Sequence, residues 1–309
     1  MTHWKKQGLV FTPEDYKDWM VSHACTPTAY KLDNDTFRIF FSPRNNRGQS
    51  LLASFDIEIA NPTKILNISE KPLMPLGELG AFDDGGIMPC SVVDTDDGLY
   101  LYYVGWNPSG SVPYRNAIGL AISHDHGKTF ERPFPGAVVD RNREEPFFTA
   151  SPYVMKEGSL WQMWYASSTG FTKVNGKVEP LYIIKYARSK NGIDWERHNH
   201  TCIEPKEKGE ANARASVLKE NGIYKMWYCF RGSEDFRDGS GSYRLGYAES
   251  KNAVDWERKD DQVGIGYSEK GWDSTMQTYP NVIAHNGKKY LFYNGNGFGK
   301  TGIGLAIAE

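Results

Sequence analysis

The sequence predicts an all-β fold built by internal repetition, and three observations carry that prediction. A polar, aromatic-ended phrase is spelled three times: SHDHGKTFER at 123–132, SKNGIDWER at 189–197 and SKNAVDWER at 250–258. An aromatic run precedes each one: LYLYYVG (99–105), LWQMWYA (160–166) and IYKMWYC (223–229). Further upstream, short apolar segments open at Pro89, Pro152 and Ala215. Two more copies open at Pro27 and Pro280, so the five pivots are spaced by 62, 63, 63 and 65 residues.

Each unit reads as strands in a fixed order. The segment at the pivot (PCSVV, PYVM, ASVL) is the first, and the aromatic run is the second. AIGLAIS, LYIIKYARS and YRLGYAES form the third, and a fourth starts at FERP, WERH or WERK. Tyr, Phe and Trp favour strands, and the 31 glycines supply turns between them. A four-stranded antiparallel unit repeated radially is a blade, so the prediction is a five-bladed β-propeller occupying 1–309 as one domain. The last unit ends on its third strand, GIGLAIAE, and WKKQGLVF (4–11) resembles the missing fourth. The N-terminal strand is therefore expected to close the last blade and leave the ring without a free edge.

The repeated phrase is the turn between third and fourth strands. SHDHGKTF fits the Asp-box pattern S-x-D-x-G-x-T-F/W, and the other two are degenerate forms. Asp125 and Asn191 can bond the amides of the turn, the glycine supplies a positive φ, and the aromatic plugs the next layer. The phrase reads as scaffold.

With 36 basic and 38 acidic side chains and a net charge of -2, no overall field favours nucleic acid or an anionic membrane. MTHWKKQGLVFTPEDY has no apolar run of signal-peptide length, and no later run could span a bilayer. The expectation is a cytoplasmic protein in which Cys25, Cys90, Cys202 and Cys229, which lack metal-ligand spacing, are reduced and buried. A closed ring has no obligatory interface, so a monomer is expected.

In such a blade, the residues leading into the pivot and those following the second strand converge on one central funnel. The loops SPRNNRGQS, GWNPSGSVPYRNA, SSTGFTKVNGKVEP, FRGSEDFRDGSGS and NGNGFGKTG open on that face. The funnel residues expected there are largely ionisable. Asp84, Glu145, Glu210 and Asp273 stand five to seven residues before their pivots, with Asp83 and Glu144 beside two of them. Acids gathered at a ring mouth have separated pKa values, and one protonated carboxyl beside one ionised is the equipment of glycoside hydrolysis. On that reading Asp84 is base or nucleophile, Glu145 or Glu210 the acid, and Asp273 orients substrate. Trp106, Trp272 and Tyr279 are candidates to stack on a sugar ring. Gln277 and Asn294 complete the binding set. His23, Arg44, Arg214 and Arg231 are candidates to hold an anionic group such as a phosphate, a uronate or a pyrophosphate.

The layout resembles the five-bladed glycosidase superfamily of invertases, arabinanases and xylosidases, and β-mannoside phosphorylases (glycoside hydrolase families 32, 43 and 130). LPLGELGAFDDGGIMPCSVV, EEPFFTASPYV, ARASVLKENGIYKMWY, GWDSTMQTYPNVI and YNGNGFGKTGIGLAI are similar to a bacterial glycosidase-like group. The resemblance implies cleavage or transfer of a glycosyl group on a small-molecule or oligosaccharide substrate, without a cofactor. Invertase-type families carry an acid on the first blade where this chain has SHACTP with His23. That departure keeps three alternatives open: a noncatalytic sugar- or nucleotide-sugar-binding propeller serving a glycosyltransferase of polysaccharide biosynthesis, a glycoside phosphorylase, and a Ca²⁺ ion held at the axis by His23 with carboxylates.

Overall fold

A computed structural model describes residues 2–13, 17–237 and 239–308. The chain starts with β1 (Lys5–Phe11) and then builds the first blade from β2 (Ser22–Lys31), β3 (Thr36–Arg44), β4 (Ala53–Glu58) and β5 (Asn61–Ile68). The second uses β6 (Gly86–Thr95), β7 (Gly98–Pro108) and β8 (Tyr114–Ser123), completed by bridges from Ile122 to Glu131 and from Ile118 to Val139. The third has β9 (Thr149–Glu157), β10 (Leu160–Val174), β11 (Lys177–Ser189) and β12 (Glu196–Thr201). In the fourth are β13 (Ala211–Glu220), β14 (Ile223–Arg231), β15 (Arg244–Ser250) and β16 (Glu257–Arg258). The fifth is β17 (Thr278–His285), β18 (Lys288–Asn294) and β19 (Ile303–Ala308), with β1 as its outer strand.

β1 runs antiparallel to β19 from Lys5 opposite Ile307 to Phe11 opposite Ile303, so the ends of the chain close the ring. Asn-Gly pairs turn three hairpins. At Asn175–Gly176 both residues take positive φ (51° and 78°), the type I′ geometry whose twist matches the strands. This turn makes SSTGFTKVNGKVEP a long β10–β11 hairpin rather than the irregular loop its length suggested.

Polar side chains on the innermost strands bind each blade to its neighbour. The Ser91 hydroxyl accepts from the Val154 amide at 3.0 Å, Asn212 from Ile184 at 2.8 Å, Ser216 from Val282 at 2.8 Å and Asn281 from Ala29 at 2.9 Å. Aromatic layers such as Trp164, Tyr186 and Tyr228 fill the space beside them.

The Asp box does what its residues predict. The Asp125 carboxylate accepts from the Lys128 and Thr129 amides at 2.9 Å and from the Thr129 hydroxyl at 2.6 Å, and Phe130 packs edge-on against Phe40 of the first blade. Asn191 and Asn252 take the same place in the other two turns. Burial opposes charge on Asp125, but the bonds from Thr129, Ser123 and Lys128 outweigh it and hold its pKa down to about 2. A depressed carboxylate stabilises the fold above its unfolded pKa of about 4, and that contribution fades as pH falls towards 2. Asp125→Ala is therefore expected to lower the thermal midpoint at pH 7 and to bring variant and parent together near pH 2, as thermal melts across that range would read.

At four of the five pivots the preceding residue is left-handed: Thr26 (φ 55°), Ser151 (48°), Arg214 (57°) and Tyr279 (53°). Residues before proline avoid helical regions, and a non-glycine residue at positive φ carries strain of order 1–3 kcal/mol. Each sits at or beside a register shift of the innermost pair. Three of the four, Thr26, Ser151 and Tyr279, are thereby presented to the axial cavity.

Candidate functional site

The axial cavity has a volume of about 390 Å³ and takes residues from all five blades. The ends of the second strands supply Arg44 and Trp106, the loops that follow supply Phe236 and Phe298, and β11 supplies Tyr182. Its wall is aromatic, with Tyr114, Phe148, Tyr243 and Tyr279 adding to those rings. Tyr182 and Tyr243 are hydrogen-bonded hydroxyl to hydroxyl. Burial pushes the pKa of Tyr114, Tyr182 and Tyr279 up, so their hydroxyls remain proton donors at neutral pH. Cys25 and Cys229 lie in the floor; burial raises both thiols, Cys25 to about 11, and all four cysteines are free and buried.

The acids expected in the funnel are not in it. Asp83 is fully buried within the second blade, its Oδ2 accepting from the Tyr103 hydroxyl at 2.9 Å and from Arg132 Nε at 2.8 Å. Glu145 accepts from Tyr165 at 2.8 Å and faces Arg197 at 3.5 Å. Glu210 accepts from Arg258 at 2.6 Å, and Tyr228 in that blade turns to Asp260 at 2.6 Å. Asp273 accepts from Lys6 at 2.7 Å, Tyr293 at 2.9 Å and Gln277 at 3.0 Å. Burial opposes the charge of Asp273, yet these bonds lower its pKa.

One device thus recurs four times. An acid before the pivot meets a cation from the outer strand, and a second-strand tyrosine completes the cluster. The cation is the third residue of FER or WER, or of the N-terminal WKK. In the second blade the tyrosine ring crosses Gly119 of the third strand, where a Cβ would come within 2.2 Å of Tyr103. Carboxylates neutralised this way are structural anchors of the blade, which corrects the expectation that Asp83, Glu145, Glu210 and Asp273 face the ligand.

Other expected residues also serve the scaffold. Asp84 accepts from the Gly80 amide at 2.8 Å and caps its loop, and Glu144 is an exposed partner of Arg143. Asn294 ties the fifth blade to the first, donating to Ala24 O and accepting from the Thr26 amide. Gln277 belongs to the Asp273 cluster. Trp272 packs on Tyr293 with ring centres 5.0 Å apart, over Gly304, and is core. Arg214 plugs the axis, donating to Cys90 O at 2.8 Å, Pro27 O at 2.9 Å and Thr28 Oγ1 at 3.0 Å, so its partners are backbone carbonyls and a hydroxyl rather than a ligand.

Four expected residues do line the cavity: Arg44, Trp106, Arg231 and Tyr279. The Arg231 guanidinium lies 3.7 Å from the centre of the Phe236 ring and donates to Pro180 O at 2.6 Å. His23 is half-buried beside Arg44, bonded to the Ser22 hydroxyl at 2.8 Å; burial, then the charges of Arg44 and Lys300, lower its pKa to about 4. Those two cations oppose binding of a metal ion at His23. Among the described residues no group of three or more His, Cys, Asp or Glu could hold a metal.

Two residues that the sequence reading did not select complete the site. Glu179, near the start of β11, is the one carboxylate lining the cavity among the described residues, and its side chain is 8% exposed. Its Oε1 accepts both from Arg237 Nη2 at 2.6 Å and from Nε at 3.1 Å, leaving Oε2 for a ligand. A signal existed: Glu179 is the only acid in its loop, and no other unit repeats it. Arg44, Arg231 and Arg237 against Glu179 make the funnel cationic within a chain whose net charge is -2.

This ring is the fold of the five-bladed glycosidases. A glycoside hydrolase from the mannoside phosphorylase family 130, which contains enzymes that target β-1,2 mannosidic linkages in Candida mannan, superposes with a TM-score of 0.72 at 14% identity, over 99% of this chain and 93% of that one. A thermostable family-43 glycoside hydrolase superposes with a TM-score of 0.67 at 13% identity, over 93% and 89%. In sequence, the chain is 36% identical to the Mycobacterium tuberculosis (strain H37Rv) protein named "Uncharacterized protein Rv1502", over 99% of both, and it belongs to that family. A 1,2-beta-oligomannan phosphorylase of Thermoanaerobacter sp. (strain X514) is 30% identical over 52% of this chain and 49% of its own length. No protein-family model matches. Among the described residues no helix is long and apolar enough to cross a membrane.

Proposed function

We propose that the chain is a carbohydrate-active enzyme that cleaves or transfers a glycosyl group held in the aromatic funnel, with Glu179 as the group that exchanges a proton with the substrate. The observation that supports this most is the placement of Glu179, a lone carboxylate with one free oxygen in an aromatic cavity on a glycosidase fold. Trp106 and Tyr279 offer ring faces for the apolar side of a sugar. The tyrosine hydroxyls offer donors to its oxygens. Hydrolysis by the usual route uses two carboxylates about 5–9.5 Å apart. With a single one among the described lining residues, transfer to an attacking group brought by a second substrate is the chemistry best matched, as in a phosphorylase: the glycosidic C–O bond breaks as the acceptor oxygen bonds the anomeric carbon, the departing oxygen takes a proton from Glu179, and the acceptor's proton replaces it.

Turnover is to be screened with β-1,2-mannobiose and inorganic phosphate and with a panel of other glycosides, following sugar phosphate and reducing sugar together. Glu179→Gln is expected to cut turnover by about 10²–10⁴ while the melting profile is kept. Undiminished turnover in that variant refutes the assignment.

The absence of a second carboxylate from the described cavity lining also favours one rival, a noncatalytic sugar-binding propeller working beside a glycosyltransferase. Saturable binding of a sugar or nucleotide sugar by calorimetry, with no consumption of any of the panel, decides for that reading.

A further inference from the structure

The cations of the funnel differ in how far they are already satisfied. Arg237 is paired with Glu179, and Arg231 donates to two carbonyls and stacks on Phe236. Arg44 has neither. Among the described residues no carboxylate lies within ion-pair distance of it, its side chain makes no hydrogen bond, and its Nε is buried without a partner. A half-buried guanidinium with open donors is stable when a ligand brings the acceptor, because desolvating a charge without a partner costs several kcal/mol.

Its neighbours are also cations or neutral donors. His23, paired with Ser22 next to it, feels the charges of Arg44 and Lys300, and Lys300 sits exposed on the β18–β19 connection with no ion-pair partner among the described residues. His23 is held at φ 62°, a strained setting for a non-glycine residue. Among the described residues no acid is ion-paired with any of the three.

Position decides what an anion would be doing there. His23 and Arg44 belong to the first blade and Lys300 to the fifth, whereas Glu179 belongs to the third, which by ring order neighbours neither. An anion that attacks the carbon served by Glu179 would have to sit beside Glu179 and Arg237. An anion on the far wall is instead a handle on the substrate itself.

We propose that Arg44, which lines the cavity, forms with His23 and Lys300 beside it an oxyanion subsite that grips a phosphate or carboxylate group covalently carried by the sugar, on the side of the funnel away from Glu179. The substrate class is then a phosphorylated or uronate-bearing glycoside spanning the funnel. Anion binding itself does not depend on the enzymatic reading above; only the identity of the rest of the ligand does.

Inorganic phosphate and acetate are to be titrated separately into the protein by calorimetry at fixed, low ionic strength, where screening is weakest. Parent, Arg44→Gln, Arg237→Gln and Glu179→Gln are compared. The subsite predicts saturable binding of at least one probe to the parent, weakened at least tenfold in Arg44→Gln, less than tenfold in Arg237→Gln, and not weakened in Glu179→Gln, which removes a negative charge from the funnel. Tighter phosphate assigns a phosphate handle, and tighter acetate a uronate. No binding to the parent, or equal affinity in Arg44→Gln, overturns the proposal. So does a tenfold loss in Arg237→Gln, which would place the anion at Glu179 as an attacking group. Because Glu179→Gln binds phosphate or acetate whether or not it turns over glycosides, failure of the catalytic reading is visible separately.

Discussion

Arg258→Met is expected to destabilise the protein by about 3–5 kcal/mol, the cost of breaking a buried ion pair from one side. Arg258 donates to Glu210 Oε1 at 2.6 Å, to Asp260 Oδ2 at 2.7 Å and to Glu204 O at 3.0 Å, with its side chain 10% exposed and that of Glu210 4%. Methionine keeps an unbranched apolar stem and removes all of these bonds, together with the guanidinium's place over the Tyr228 and Phe230 rings. Asp260 retains Lys206, but Glu210 is left as a buried charge without a cation. Urea unfolding at pH 7 should show this gap between variant and parent. Adding Glu210→Gln should restore part of the loss, because the stranded charge goes with it. A gap below about 1 kcal/mol at pH 7 would mean that the cluster is ornamental to the blade.

The second large effect is expected at the axis. Arg214→Met should cost on the order of 3 kcal/mol or more, since it strips donors from Cys90 O, Pro27 O and Thr28 Oγ1, and each buried acceptor left bare costs about 1–3 kcal/mol. These acceptors belong to the first and second blades and the arginine to the fourth, so one side chain links three innermost strands. Methionine takes over the strained left-handed backbone at φ 57° without the bonds that hold it there. Thermal and urea unfolding would read the loss. Were Arg214 a ligand contact, the same substitution would weaken phosphate or acetate binding and spare stability, and that pattern would reverse its assignment.

Blade number, strand order and closure by the N-terminal strand were legible in the sequence because repetition carries them. A pivot every 62 to 65 residues and a phrase repeated at one turn fix a period, and a radial stack is what such a period builds. The site was less legible, and the same repetition explains why. Asp83, Glu145 and Glu210 drew notice by recurring ahead of the pivots, yet recurrence marks what every blade needs. Their partners Arg132, Arg197 and Arg258 recur as well, 49, 52 and 48 residues further on. Matched recurrence of an acid and a base was the available sign of a structural pair. Glu179 has no counterpart in the other units, and that is the sign that set it apart from the blade anchors. Trp272 stands ahead of an innermost strand and Trp106 near the end of a second strand, and whether a neighbour covers each ring is something spacing alone does not encode.

The seam between β1 and β19 sets a condition on how this molecule can assemble. Lys5 lies opposite Ile307, so the contact is close to the longest-range pairing the sequence permits. Four blades can be zipped from neighbouring hairpins, while the fifth waits for both extremities to meet, and Lys6 delivers the cation for Asp273 only at that moment. Until the latch engages, the edge of β19 is bare, and a strand lent by a second copy would fit it as well as the molecule's own.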